Sequence, residues 1–349
     1  MIRLPRNAQI WFPGYAKSRL RDAFRRPPAG SGRVWLAIAD HFEPYRRTTS
    51  APTPDELARE RVDLWARHWP EIAARHQDSA GNRPVYTFYY PQEEYHPKLL
   101  DILAEVTHAG IGDVDIHIHH DGEGQQNFVD RMSGFIETLH GRHGLLRKHQ
   151  GRLVFGFIHG NWALDNSRPD GRWCGLNNEI TLLRDLGCYA DFTMPSGASP
   201  TQSRILNTIY WATDDPDRPR SYDRGTPVVP GNVGSGDLLM VPGPFCIRWS
   251  ERLIPRLEGG ELASYDPPNA YRVKRWIDVA PRIGNDLFIK LYTHGALEQN
   301  SALLLNGGLD DTFRLVAEQC RRREYELRFV STWVMRQAID QAAAGDGRS

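Results

Sequence analysis

Val34-Trp35-Leu36-Ala37-Ile38-Ala39 is an unbroken apolar run that ends in Asp40-His41-Phe42-Glu43-Pro44. A short run that is apolar on both faces marks a strand buried on both sides, as in a parallel sheet covered by helices. Working outward, residues 54–76 carry Leu57, Val62, Leu64, Trp65, Trp69 and Ile72 near helical spacing, with Asp55 and Glu56 in the first turn where helix starts favour acids. Residues 85–90 form a second strand, and 97–108 a second helix with Pro97 at its start and Gly110 past its end. The alternation predicts further strands at 113–119, 153–158, 189–193, 238–241, 286–292 and 326–330. It predicts helices near 125–149, 176–186, 269–281, 310–322 and 331–343. Strand followed by helix, repeated six or more times, implies a parallel sheet with helices outside it. Residues 195–236, rich in Gly, Pro, Asp and Ser, read as a loop insertion with a short strand at 208–211.

An open doubly wound sheet and a barrel both satisfy that pattern. No G-x-G-x-x-G follows the first strand and no Walker sequence is present, which removes the usual nucleotide-binding version of the open sheet. Instead the strands end in polar, metal-capable residues. Asp40 and His41 end the first, His117 to Asp121 the third, His159, Asn161 and Trp162 the fourth; Asp191 lies on the fifth and His294 closes a late one. Polar groups gathered at the carboxyl ends of several strands form one mouth in a barrel.

Composition narrows the function classes. The 349-residue chain carries 43 Lys plus Arg against 43 Asp plus Glu, so no bulk basic field exists to hold nucleic acid. Ten Trp, thirteen Tyr and thirteen Phe imply a packed globule. Cys174, Cys188, Cys246 and Cys320 form no C-x-x-C pair, which fits a reducing compartment. With no bilayer-length apolar run and no secretory leader pattern, the expected location is the cytoplasm. The arm Ile10-Trp11-Phe12-Pro13-Gly14-Tyr15-Ala16-Lys17, followed by Arg19, Arg21, Arg25 and Arg26, reads as a segment packed on the body, with peripheral membrane contact as the other use of such a patch. Pro13-Gly14 is expected to break a continuous amphipathic helix there. Residues 1–32 are thus an arm and linker, and 33–345 a single catalytic barrel domain.

The chemistry concentrates on Asp115-Ile116-His117-Ile118-His119-His120-Asp121. Alternate residues of a strand share a face, so His117 and His119 can aim both imidazoles at one point. Imidazoles with a carboxylate suit zinc or a similar divalent ion. His119, His120 and Asp121 are all open as the later ligand, and His41 is available as a further one. Asp40, at a strand tip, is placed for a raised pKa and general-base work. His294, with Gly295 allowing a sharp turn after it, is placed as general acid. Trp162 can stack on a sugar face, while His159 and Asn161 can bond hydroxyls or steady an oxyanion.

In this order the elements resemble the NodB-homology polysaccharide deacetylase family, over roughly residues 33 to 330. Asp40-His41 stands at the family's Asp-Asp pair, so Asp40 matches its catalytic base and His41 replaces its metal-binding Asp. His117 matches the first motif histidine, and Asp121 stands where the second lies, four residues on. His159-Gly160-Asn161-Trp162 takes the place of Arg-x-Pro, Tyr189-Ala190-Asp191-Phe192-Thr193 that of the Asp-led segment, and Leu291-Tyr292-Thr293-His294 that of Leu-x-His with one extra residue. The resemblance implies an irregular (β/α) barrel of about seven parallel strands and one divalent ion, zinc first. It implies ligands among His41, His117, His119 and Asp121, with Asp40 and His294 catalytic. His159, Asn161, Trp162 and Asp191 would contact a carbohydrate substrate that loses an N-acyl group. Two other functions share this layout: a glycosidase using two carboxylates among Glu43, Glu93, Glu94 and Asp191, and a non-catalytic carbohydrate-binding barrel.

Overall fold

The structure, a computed structural model, describes residues 4–24, 32–232, 234–250 and 253–345. Arg25, Arg26, the linker residues up to 31 and the end of the tail from 346 lie outside the described residues. Eight strands run parallel: β1 (Arg33–His41), β2 (Tyr86–Pro91), β3 (Gly112–Ile118), β4 (Arg152–His159), β5 (Cys188–Asp191), β6 (Leu238–Met240), β7 (Asp286–Thr293) and β8 (Glu326–Phe329). Their order is β7-β1-β2-β3-β4-β5-β6, and β8 shares the β2 edge of β1 by pairing with residues 33–36 while β2 pairs with 38–41. Four antiparallel strands complete a sheet of 12: Arg282–Ile283 beside β7, Arg147–His149 beside β4, and Tyr210–Ala212 followed by Gly225–Pro227 beyond β6.

The expected class, α/β with a mostly parallel sheet, is what the chain forms, with more strands than the seven expected. Among the described residues no ladder joins Arg282–Ile283 to Gly225–Pro227, so the sheet is not closed by backbone pairing. The insertion accounts for this. Its antiparallel strands occupy the edge beyond β6, and β5 meets β6 at the single pair Asp191–Met240. Lys290 of β7 reaches across that side instead, its Nζ donating to the carbonyls of Phe192 at 2.7 Å and Met194 at 2.8 Å.

The two faces of β1 follow from strand alternation. Val34, Leu36 and Ile38 pack with Val62, Trp65 and Trp69 of the helix Asp55–Ala74, in one core shared with the other long helices. Trp35, Ala37 and Ala39 face the opposite way and pack with Met335, Ala338, Ile339 and Ala342 of the helix Thr332–Ala344. That last helix, capped by Ser331 accepting from the Val334 N–H at 3.3 Å, is therefore not outside with the rest. It fills the lower half of the face whose upper half, at the strands' carboxyl ends, carries His41, His117 and Tyr292.

Two local expectations change. The helix expected over 125–149 ends at His143, and residues 147–149 turn back to pair with β4. The arm forms a helix, Ala8–Ala23, that continues through Pro13. Tertiary contacts override the break: Trp11 is buried against Leu206 and Phe245, and the Arg21 guanidinium donates to the Asn207 carbonyl at 2.8 Å. No helix of the described residues is long and apolar enough to cross a membrane.

Candidate functional site

Glu43 stands at the centre of the site. Its Oε1 lies 3.2 Å from His117 Nε2 and 3.1 Å from His119 Nε2. The three ligand atoms are all within 4.8 Å of one another. Alternation along β3 aims both imidazoles at the same point, as the His-x-His spacing predicts. The chain after β1 supplies the carboxylate. Both rings are held from behind. The Ile158 carbonyl, 2.8 Å away, can only accept, so His117 Nδ1 carries the proton and Nε2 the lone pair. Glu93 does the same for His119 by accepting from Nδ1. An acceptor behind each ligating imidazole is the usual support of a metal-bound histidine. Burial works against charge on His119, but its bonds to Glu43 and Glu93 push the pKa up to about 10. Burial also resists charge on Glu43, but its contacts with the His117 and His119 imidazoles hold its carboxyl well below its ordinary range. A proton or a cation thus belongs between these groups. Two imidazoles and one carboxylate so placed could hold a divalent metal ion.

His41 flanks this group. Its ring centroid lies 5.1 Å from that of His117 and 4.8 Å from that of His294, and its Nε2 is buried without a hydrogen-bond partner among the described residues. Burial, then the neighbouring His294 and His117, hold it neutral. His294 is likewise pushed down to about 4, by burial first. Trp162 closes the wall, 5.8 Å from His41 and 6.0 Å from His294 between centroids, with its indole Nε1 also buried and unpartnered among the described residues. Asn161, in the same turn with φ of 54°, is half-buried. A cleft of about 390 Å³ adjoins Tyr292, lined by Arg6, Arg248, Arg256, Glu261 and Tyr265.

Four expected site residues are placed elsewhere. Asp40 faces away from His41, as neighbours on a strand must. Its carboxylate is fully buried, accepting from the Gly295 N–H at 2.7 Å and the Tyr86 hydroxyl at 3.0 Å. A side chain at Gly295 would collide with Asp40 and Trp65, so this turn behind His294 requires glycine. Burial raises the Asp40 pKa to about 7 against those two bonds. Asp121 is exposed and accepts from the Trp173 N–H at 2.7 Å, because β3 ends at Ile118 and the alternation does not carry on to it. Asp191 is turned onto Thr193, accepting from its N–H at 3.0 Å and its hydroxyl at 2.6 Å.

His159 is fully buried in a second cluster with His120, Cys174 and Glu179, whose ligand atoms also lie within 4.8 Å of one another. His119 and His120 therefore serve opposite sides of the strand end. Gly160 allows this close approach, since a Cβ there would strike the His119 ring and the Ile118 carbonyl. No motif marks Glu43 and Glu93 as metal-site groups, although residue 43 continues the alternation from His41. Cys174, on a loop, and Glu179, the first residue of the helix Glu179–Leu186, give no spacing signal. No family model and no curated protein matches the chain.

Proposed function

We propose that the protein is a metal-dependent hydrolase that removes an N-acyl group from an amino sugar or polysaccharide precursor. The observation that carries the metal dependence is Glu43 Oε1 set between His117 Nε2 and His119 Nε2 at 3.2 and 3.1 Å, each imidazole backed by an acceptor. The substrate class rests on the resemblance of the motif order to polysaccharide deacetylases. The parallel sheet, with its site at the strands' carboxyl ends, suits an irregular barrel of that kind. A divalent ion held there, zinc by donor type, would polarise the acyl carbonyl and acidify a water.

The chain's own groups divide the remaining work. His294, neutral at pH 7, takes a proton from the attacking water and returns it to the departing amine. Asp40 acts through it, holding the Gly295 N–H, and does not reach the substrate. The unpartnered Trp162 indole N–H offers a donor to a carbonyl oxygen. Trp162 and Tyr292 give the sugar ring apolar faces, and the adjoining cleft gives it charged and hydroxyl partners.

The test is acetate release from a panel of N-acetylated sugars, with chelator and after zinc is restored. Release that stops with chelator, returns with zinc and falls at least about 100-fold in Glu43→Gln supports the reading. Glycosidic cleavage indifferent to chelator, as two carboxylates alone can give, would overturn it.

A further inference from the structure

We propose that His120, His159, Cys174 and Glu179 form a second metal site, closed to substrate, that holds a zinc-like divalent cation and clamps the loop 160–178 to the end of β3. All four side chains are buried. Glu179 Oε1 lies 3.0 Å from His120 Nε2 and 3.4 Å from His159 Nε2. Nitrogen and oxygen ligands of tetrahedral zinc stand about 3.4 Å apart when each bond is about 2.0–2.2 Å.

The ligand atoms of His159, Glu179 and Cys174 are turned toward the cluster by what holds the rest of each side chain. His159 Nδ1 donates to the Gly160 carbonyl at 2.6 Å, so Nε2 bears the lone pair, and it has no hydrogen-bond partner among the described residues. Glu179 Oε2 accepts from the Asp165 N–H at 2.7 Å, which leaves Oε1 for coordination. The Cys174 sulfur accepts from two backbone N–H groups, Asn166 at 3.2 Å and Leu176 at 3.4 Å, and its thiol faces the Glu179 carboxylate at 3.4 Å. Behind His120, the Glu123 carboxylate lies 3.5 Å from Nδ1, without a hydrogen bond to it, and is itself held by Arg131 at 2.9 Å. Without a cation, His120 Nε2 can donate to Glu179 Oε1 at 3.0 Å, but the lone pair of His159 Nε2 faces the same carboxylate at 3.4 Å.

Four protein ligands leave no open position, which is the mark of a structural site. The consequence is local. Asn161, Trp162, Asp165, Asn166 and Trp173 all have positive φ, so the loop that brings Trp162 to the mouth is held in a conformation that side chains disfavour. A cation binding the loop through Cys174 and the strand end through His120 would hold it there. Uptake expels the thiol proton to solvent. None of this depends on the reaction at the first site.

Cobalt(II) titration of the chelator-stripped protein tests the site, because only this cluster contains sulfur. Wild-type protein should develop a thiolate-to-cobalt charge-transfer band that zinc displaces and that saturates by about two equivalents, because the first site also takes an ion, and the double variant Glu43→Gln/His119→Ala should reach the same band at about one equivalent. Cys174→Ser should lose the band. His159→Ala, which keeps the sulfur, should weaken cobalt binding at least about tenfold, as loss of a ligand or its support does. No charge-transfer band in folded wild-type protein, a band that survives Cys174→Ser, or unchanged affinity in His159→Ala would overturn the proposal. The wild-type titration does not require any variant to fold.

Discussion

Asp40 and His41 are adjacent in sequence and serve different halves of the molecule. His41 stands at the metal-ligand group; Asp40 is buried behind it, on the Gly295 N–H and the Tyr86 hydroxyl. Asp40→Asn keeps an oxygen for the Gly295 N–H. It should therefore leave metal content unchanged and lower deacetylase turnover by no more than about tenfold, below the 10²–10⁴ typical of a lost general base. A larger loss with metal intact, measured by steady-state kinetics beside elemental analysis, would restore Asp40 as the base. Strand alternation made His117 and His119 legible as a pair from the sequence. Applied to residues 40 and 41 the same rule separates them, and only the motif resemblance joins them. Glu43 was equally open to the rule, two residues beyond His41. Asp121 was not: nothing in its spacing shows that β3 stops at Ile118.

At the level of elements, the alternation of strands and helices was readable because β1 is apolar on both faces and helices such as Asp55–Ala74 and Pro97–His108 carry one apolar stripe. What propensity could not reveal was which face each helix covers. Trp35, Ala37 and Ala39 lie against the helix Thr332–Ala344, while Val34, Leu36 and Ile38 lie against the others. The alanines leave the room that this helix occupies. Ile339, 1% exposed, anchors it. Ile339→Ala should lower stability by about 2–5 kcal/mol, with the transition slope unchanged in urea unfolding. A change within about 0.5 kcal/mol, the range of surface positions, would mean the helix is not part of the core. The arm helix was hidden for the opposite reason. Pro13 and Gly14 argue against it locally, and its support comes from Leu206, Asn207 and Phe245, about two hundred residues away.

At the scale of the whole molecule, closure of the sheet depends on pairing between distant segments, which periodicity does not encode. The insertion covers one edge, and Lys290 spans the gap to Phe192 and Met194 in place of a ladder. Asp191 lies beside this crossing, and burial raises its carboxyl from an ordinary 3.8 to about 7 against the Thr193 bonds and Lys290. A carboxyl whose folded pKa is raised contributes stability that is complete below pH 3.8 and is lost as pH rises through about 7. Asp191→Asn removes that loss. Relative to wild type, the variant should gain stability steadily between about pH 4 and 7, by up to about 4 kcal/mol, and level off above that. A constant difference across that range, in urea unfolding at several pH values, would show that Asp191 is ionised throughout.

Whether Glu43, His117 and His119 share one cation can be read from anomalous X-ray diffraction at the zinc edge on zinc-supplied crystals. A peak about 2.0–2.2 Å from Glu43 Oε1 and from Nε2 of both histidines is the predicted result. An empty anomalous map between those three side chains, with their positions unchanged and zinc present in the crystal, would contradict it.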